Sequence, residues 1–319
     1  MLTRRSVLAS AAAFAAAPLI APAAHAKAPL QGVQPASVHR YKVGGFEITA
    51  LLDGQRPVDK PETIFGVNQK PEDVAALLTA NFLPADKLAI GFTPLLVNTG
   101  KELVLFDTGL GASGRPGSGN LKNLFAQAGV TTDQVDVVVI THCHPDHIGG
   151  LMEDGAPLCN NASYVIGEAE YAFWSSPDRL TGPTEQVGKL VQANVVPMAG
   201  QMAFVKDGAD AASGIRSLFS PGHTRGHMSW RLESEGKQLL IGGDFCNHFV
   251  LSLQRPDWHV KFDADKELAG QTRKKMLDML ATDRIAFTSY HMPFPSVGYD
   301  EKAAAGGYHF VPATYQMVL

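Results

Sequence analysis

Val135-Asp136-Val137-Val138-Val139-Ile140 runs directly into Thr141-His142-Cys143-His144-Pro145-Asp146-His147. The Val/Ile run fits a strand buried on both faces. The segment after it holds four metal-competent side chains, His142, His144, Asp146 and His147. At this spacing they cannot all be neighbours on one helix, and Pro145 argues against a helix here. On a tight loop at a strand end they can converge from several directions on two nearby ions. Imidazole and carboxylate are ligands that Zn, Mn, Co or Fe accept.

Three later positions extend the set. His223 lies in Ser220-Pro221-Gly222-His223-Thr224-Arg225-Gly226-His227, just past an apolar run ending at Phe219. Asp244 follows Leu239-Leu240-Ile241-Gly242-Gly243, and His291 follows Ile285-Ala286-Phe287-Thr288 closely. Each stands where an apolar run ends, which gathers them on one rim of the sheets. Five histidines and two aspartates suit two divalent ions better than one.

Outward from these motifs the chain reads as short strands with helices between them. Residues 46–52, 93–98, 102–107, 163–166, 202–205, 215–219, 228–233 and 239–241 read as strands, and 285–288 as a short final one. Thr99-Gly100-Lys101 is a hairpin signal. Leu121–Ala128 has helical spacing and stops at Gly129, Glu168–Trp174 starts a second helix, and Ala264–Leu280 is an amphipathic third. Residues 54–90 and 175–200 read as long loops or helical covers. The order predicts an α+β, four-layer αββα sandwich: two mixed sheets with helices on both outer faces.

Composition narrows the function classes. The 319 residues are 45% hydrophobic and 18% charged, which is ordinary for a globular chain and excludes disorder or a coiled coil. The net charge is -4 with no basic block, so a nucleic-acid partner has no electrostatic support. Cys143, Cys159 and Cys246 are too few for a disulfide scaffold, and Cys143 and Cys246, which flank ligand candidates, read as buried, inert thiols. At the N-terminus, Arg4-Arg5 precede an Ala-rich stretch that ends in Ala24-His25-Ala26. This predicts a twin-arginine-type signal peptide over residues 1–26, cleaved on export to the periplasm or medium. Residues 27–319 would then form one domain with no membrane anchor, since Pro18 and Pro22 interrupt the only long apolar stretch.

The H-x-H-x-D-H loop, the Gly222-His223-Thr224-x-Gly226-His227 turn, Gly243-Asp244 and the late His291 resemble the metallo-β-lactamase fold superfamily, in its order. That resemblance includes Leu105 to Gly109, and Gly45 to Leu51, Leu96 to Gly100 and Gly307 to Pro312 are most similar to methyl parathion hydrolase and related secreted lactonases and arylesterases. The resemblance implies His142, His144 and His223 on one ion and Asp146, His147 and His291 on the other. Asp244 would bridge the two ions, most often Zn. It also implies Asp107 and His227 as hydrogen-bond partners behind the ligands. Trp174 would be a wall of the substrate pocket; Phe245, Asn247, His248 and Trp258 are candidates to face the substrate because they follow Asp244 closely in the sequence.

The implied activity is hydrolysis of a small-molecule lactone or aryl ester by a metal-bridging hydroxide. Asp146 or Asp244 would relay a proton, and organophosphate triesters would be a side reaction. Gly111-Ala112-Ser113-Gly114 stands where methyl parathion hydrolase carries a bulky aromatic, and Cys246-Asn247-His248 where it is apolar. These departures place a dedicated phosphotriesterase second. A β-lactamase, then a non-catalytic metal-binding protein, rank below it, and a homodimer stays open.

Overall fold

The computed structural model describes residues 36–313, 315 and 319; the export segment expected over residues 1–26 lies outside the described residues. Two seven-stranded mixed sheets form the centre. The first runs, in spatial order, Val38–Val43, Phe46–Leu51, Leu95–Asn98, Leu103–Phe106, Val137–Ile140, Ser163–Gly167 and Met202–Val205. The second runs Asp210–Ala212, Ile215–Phe219, Met228–Ser234, Lys237–Ile241, Ala286–Thr288, Val297–Lys302 and Tyr308–Pro312.

The period-2 alternation of strand side chains explains why the central strands are apolar at every position. In Val137–Ile140, Val137 and Val139 point between the sheets, onto Trp230, Leu232, Leu239 and Ile241. Val138 and Ile140 point outward, into a core shared with Leu121, Leu124 and Phe125 of helix Leu121–Ala128, with Trp174, and with Val191 of helix Glu185–Asn194. Leu240 and Phe287 similarly leave the second sheet for Met276, Leu277 and Leu280 of helix Lys266–Asp283. The layers are therefore helix, sheet, sheet and helix, the αββα order expected from the sequence.

Local chemistry sets the helix ends. Gly129 closes Leu121–Ala128 in the left-handed region, with φ of 76°. The Asp265 carboxylate caps Lys266–Asp283 by accepting the Leu268 N–H at 3.0 Å. Among the described residues, no helix is long and apolar enough to cross a membrane.

Three expectations change. Pro145 does not prevent helix formation: Pro145–Ile148 is one helical turn with the proline at its first position, where a missing N–H costs nothing. Ala286–Thr288 is not the last strand, because Val297–Lys302 and Tyr308–Pro312 complete the second sheet at its polar edge. Residues 54–90 are mostly regular, a hairpin of Gly54–Asp59 with Lys87–Phe92 enclosing helix Pro71–Ala80. Pro57 and Gly91 weaken the strand pattern there, and tertiary contact supplies what propensity lacks.

Candidate metal centre

The seven ligand candidates lie just beyond the ends of strands, five on loops and Asp146 and His147 on the helical turn Pro145–Ile148. His142, His144, Asp146 and His147 follow Val137–Ile140, and Asp244 follows Lys237–Ile241, whose parallel neighbour Ala286–Thr288 leads to His291. His223 follows Ile215–Phe219. Three groups hold ligand atoms within 4.8 Å of one another: His142 with His144 and His223, His142 with His147 and Asp244, and Asp146 with His147 and His291. The Asp244 carboxylate lies among them. Its Oδ2 is 3.0 Å from His291 Nε2, 3.3 Å from His223 Nε2 and 3.9 Å from His142 Nε2, while Oδ1 is 3.5 Å from His147 Nε2.

The donor set fits divalent cations. His142 Nε2, His147 Nε2 and Asp244 Oδ1 are buried and have no hydrogen-bond partner, an arrangement that is unfavourable unless something else satisfies them. All three point into the cluster, and a cation accepts their lone pairs.

The hydrogen bonds behind the ligands fix their tautomers. His147 Nδ1 lies 2.8 Å from Asp107 Oδ2, and His223 Nδ1 lies 2.8 Å from Asp263 Oδ1. His291 Nδ1 donates to the Gly91 carbonyl at 2.8 Å. Each leaves Nε2 free to face inward, the usual device of metal-site histidines. Asp107 also accepts from the Thr141 N–H and hydroxyl, both at 2.8 Å, and its own backbone sits at φ of 58°. A non-glycine residue held in the left-handed region stores strain, here at the strand end that aims His147.

His227 is not directed at the cluster centre as a ligand. Its Nε2 accepts the Asp244 backbone N–H at 2.9 Å, so Nδ1 carries the proton and meets Ser220 Oγ at 2.8 Å. Burial pushes the His227 pKa down to about 3, and the ring stays neutral at physiological pH. A side chain at Gly243 would meet His227 Nε2 at 2.7 Å, which is why glycine precedes Asp244.

Burial, with the neighbouring imidazoles, holds His142 and His144 well below the ordinary histidine value. Burial also acts downward on His147 and His291, but Asp244 and the other carboxylates outweigh it and raise both. Burial raises the Cys143 thiol well above its ordinary value and pushes Cys246 up to about 12, so neither is a thiolate that competes for metal.

Several residues that hold the centre carry no local sequence signal. Glu170, fully buried, accepts from the Cys143 N–H, the Trp174 indole, the Thr224 hydroxyl and the Gly226 N–H at 2.7 to 3.0 Å. It ties the two histidine loops together. Asp263 is gripped from behind by Arg273 at 3.0 Å, whose other N–H groups reach the carbonyls of Phe245, Pro256 and Trp258. Burial alone would raise the Asp263 carboxyl, but His223 and Arg273 hold it below its ordinary value. Tyr290 donates to the Asp146 carbonyl at 2.6 Å and lies against His147, ring centroids 4.0 Å apart.

A cavity of about 400 Å³ opens onto the cluster, and His144, Asp146, His223, Asp244 and His291 form its floor. The wall is largely apolar, with Phe65, Ile90, Phe92, Leu110 and Val260 prominent. Of the expected pocket residues, Asn247 lines the cavity and donates to Asp244 Oδ2 at 3.0 Å. The others stand elsewhere. Phe245 turns into the core under helix Lys266–Asp283, and Trp258 packs behind Phe65. His248 accepts the N–H groups of Val250 and Leu251. Trp174 is held by Glu170 in the outer core, its ring 6.5 Å from His144. Closeness to Asp244 in sequence did not translate into a shared direction: Phe245 and Cys246 both enter the core, and Asn247 reaches the cavity.

A histidine–aspartate centre at the strand ends of an αββα sandwich defines a class, the metal-dependent hydrolases of this fold. The metallo-beta-lactamase superfamily profile matches residues 93–285, and the chain belongs to that superfamily. Among solved structures it is similar to AidC, a dizinc quorum-quenching lactonase in complex with a product. The TM-score is 0.80 at 25% identity, over 88% of this chain and 99% of that one. It is also similar to the hydrolase AbOPH, with TM-score 0.82, 25% identity, and 89% and 100% coverage.

Lactamase-like protein adaB of Aspergillus niger is 28% identical over 57% of this chain and 47% of its own length. Atrochrysone carboxyl ACP thioesterase dmxR1 of Cryptosporiopsis sp. is 26% identical over 60% and 49%. The chain thus spans about half the length of these relatives.

Proposed function

We propose that this hydrolase cleaves lactones or aryl esters with an apolar arm, using two divalent ions. His142, His144 and His223 would hold one, Asp146, His147 and His291 the other, and Asp244 both. The observation that carries the substrate class is the cavity: an apolar wall over a polar floor takes a carbonyl at the floor and a hydrocarbon arm against the wall. Similarity to a dizinc lactonase supports the same reading.

Bound divalent ions supply Lewis acidity and lower the pKa of water toward neutrality. The chain's own residues do the rest. Phe65, Phe92 and Leu110 exclude water from around the arm and orient it. Asp146, partly exposed at the cavity floor, is placed to hand a proton to the departing oxygen. Asn247 and His227 hold Asp244 from its side chain and its backbone, so the carboxylate cannot turn away from the cluster. A phenolate or a ring-opened product leaves with little further assistance.

The test is the ratio of rates on dihydrocoumarin and paraoxon with metal-replete enzyme. A faster lactone reaction is expected; strong preference for the triester would make the protein a phosphotriesterase, and rapid nitrocefin hydrolysis a β-lactamase. Export rests on residues 1–26, and N-terminal sequencing of the secreted chain should begin at Lys27.

A further inference from the structure

The hairpin of Gly54–Asp59 and Lys87–Phe92 forms its own two-stranded sheet beside the metal centre. Arg56 pairs with Ile90 across it, Val58 with Leu88, and Gly54 with Phe92. Alternation therefore puts Arg56, Val58, Leu88, Ile90 and Phe92 on one face. Arg56, Val58, Ile90 and Phe92 of that row line the cavity. The opposite row, Gln55, Pro57, Asp59, Lys87 and Ala89, is the solvent face, where an ordinary surface arginine belongs. Arg56 is instead on the inner face, where it borders the cavity beside apolar side chains while staying exposed to solvent.

No carboxylate among the described residues pairs with it. Among the described residues Arg56 makes no ion pair or hydrogen bond, and its one recorded contact is with the Phe92 ring, the guanidinium 5.9 Å from the centroid. Phe92 in turn meets His291 edge to face at 5.6 Å. The Phe92 ring thus touches both the Arg56 guanidinium and His291 of the cluster. A planar guanidinium steadied on a ring face is preorganised for bidentate contact with a carboxylate.

We propose that Arg56 is a specificity-determining residue: the substrate carries a carboxylate on the arm remote from its scissile bond, and Arg56 receives it. The proposal rests on the ester or lactone reading above, and it narrows the substrate to an anionic one. A charge on an inner hairpin face can also serve to block edge-to-edge pairing. That role is indifferent to the substrate, so the two readings separate.

The experiment compares mono-4-nitrophenyl glutarate with 4-nitrophenyl pentanoate on the zinc-loaded enzyme. In Arg56→Met the ratio of kcat/KM for the glutarate ester over the neutral ester should fall about tenfold, as for a partly solvated charge-assisted hydrogen bond. Arg56→Lys should recover part of the loss, and 0.5 M NaCl should shrink the wild-type preference. An unchanged ratio in Arg56→Met overturns the proposal and leaves the hydrolase reading intact.

If wild type cleaves neither ester, the hydrolase substrate reading fails, and calorimetric binding of glutarate against pentanoate to the same zinc-loaded protein decides Arg56. A glutarate preference lost in Arg56→Met supports the role, and an equal preference in both proteins refutes it.

Discussion

The floor and the wall of the cavity are built by opposite means. On the floor, each ligand loop is held by buried polar partners: Asp107 behind His147, Asp263 and Arg273 behind His223, His227 behind Asp244, and Glu170 between two loops. The wall side chains are held mainly by packing, with hairpin residues and Phe65, Val260 and Leu110 meeting side chain to side chain. A network of directed bonds fixes atoms to a fraction of an ångström, as a metal centre requires. An apolar wall needs only shape, and it can change its residues without disturbing the chemistry below. Mutations should accordingly sort into two kinds, those that change metal binding and turnover and those that change substrate preference.

The largest effect should come from the floor. Asp244→Ala removes the one carboxylate that reaches His142, His147, His223 and His291 together, and kcat should fall roughly 10³-fold or more with circular dichroism unchanged. Near-wild-type turnover in that variant would falsify its central place. Next, Asp263→Asn leaves every ligand present but loosens His223. Competition with a chromophoric chelator should show metal affinity lower by about 10- to 100-fold; an unchanged affinity would mean that Asp263 only packs.

On the wall, Phe92→Ala should raise KM for an apolar-armed lactone roughly tenfold while metal content, measured by atomic emission, stays at the wild-type level. A loss of metal instead would erase the distinction between floor and wall.

The smallest effect serves as a control at a residue outside both the ligand groups and the cavity lining. Asp300 is buried, neither carboxylate oxygen has a partner, and burial pushes its pKa up to about 7. Its folded value therefore lies above its unfolded value. The favourable contribution is complete below the unfolded pKa near 3.8 and is lost as pH rises through 7. Asp300→Asn should be more stable than wild type at pH 8 by on the order of 1 kcal/mol, the gap closing toward pH 4. Equal thermal melts at pH 8 would contradict it.

The same contrast explains what could be read from the chain. His142 to His147 announce themselves because four candidate ligands share one short segment, and Val137–Ile140 because both of its faces are buried. The two-sheet architecture follows from such runs. Asp263 and Glu170 do not show, since a lone acid lies 40 residues from the histidine it orients or on an ordinary helix turn. Their roles exist only in three dimensions. The hairpin wall was hidden for a different reason: Pro57 interrupts its pattern, and its partner strand arrives after an intervening helix. Phe245, His248 and Trp258 show the reverse error, chain neighbours of a ligand that face away from it.

The account stands on metal held by the histidine–aspartate cluster being the source of catalysis. Metal-depleted protein titrated with zinc, with bound zinc and dihydrocoumarin hydrolysis followed together, tests this directly. Two equivalents should bind, with activity rising to its full value as the second is taken up. Full hydrolysis by the depleted protein in the presence of chelator would contradict the account.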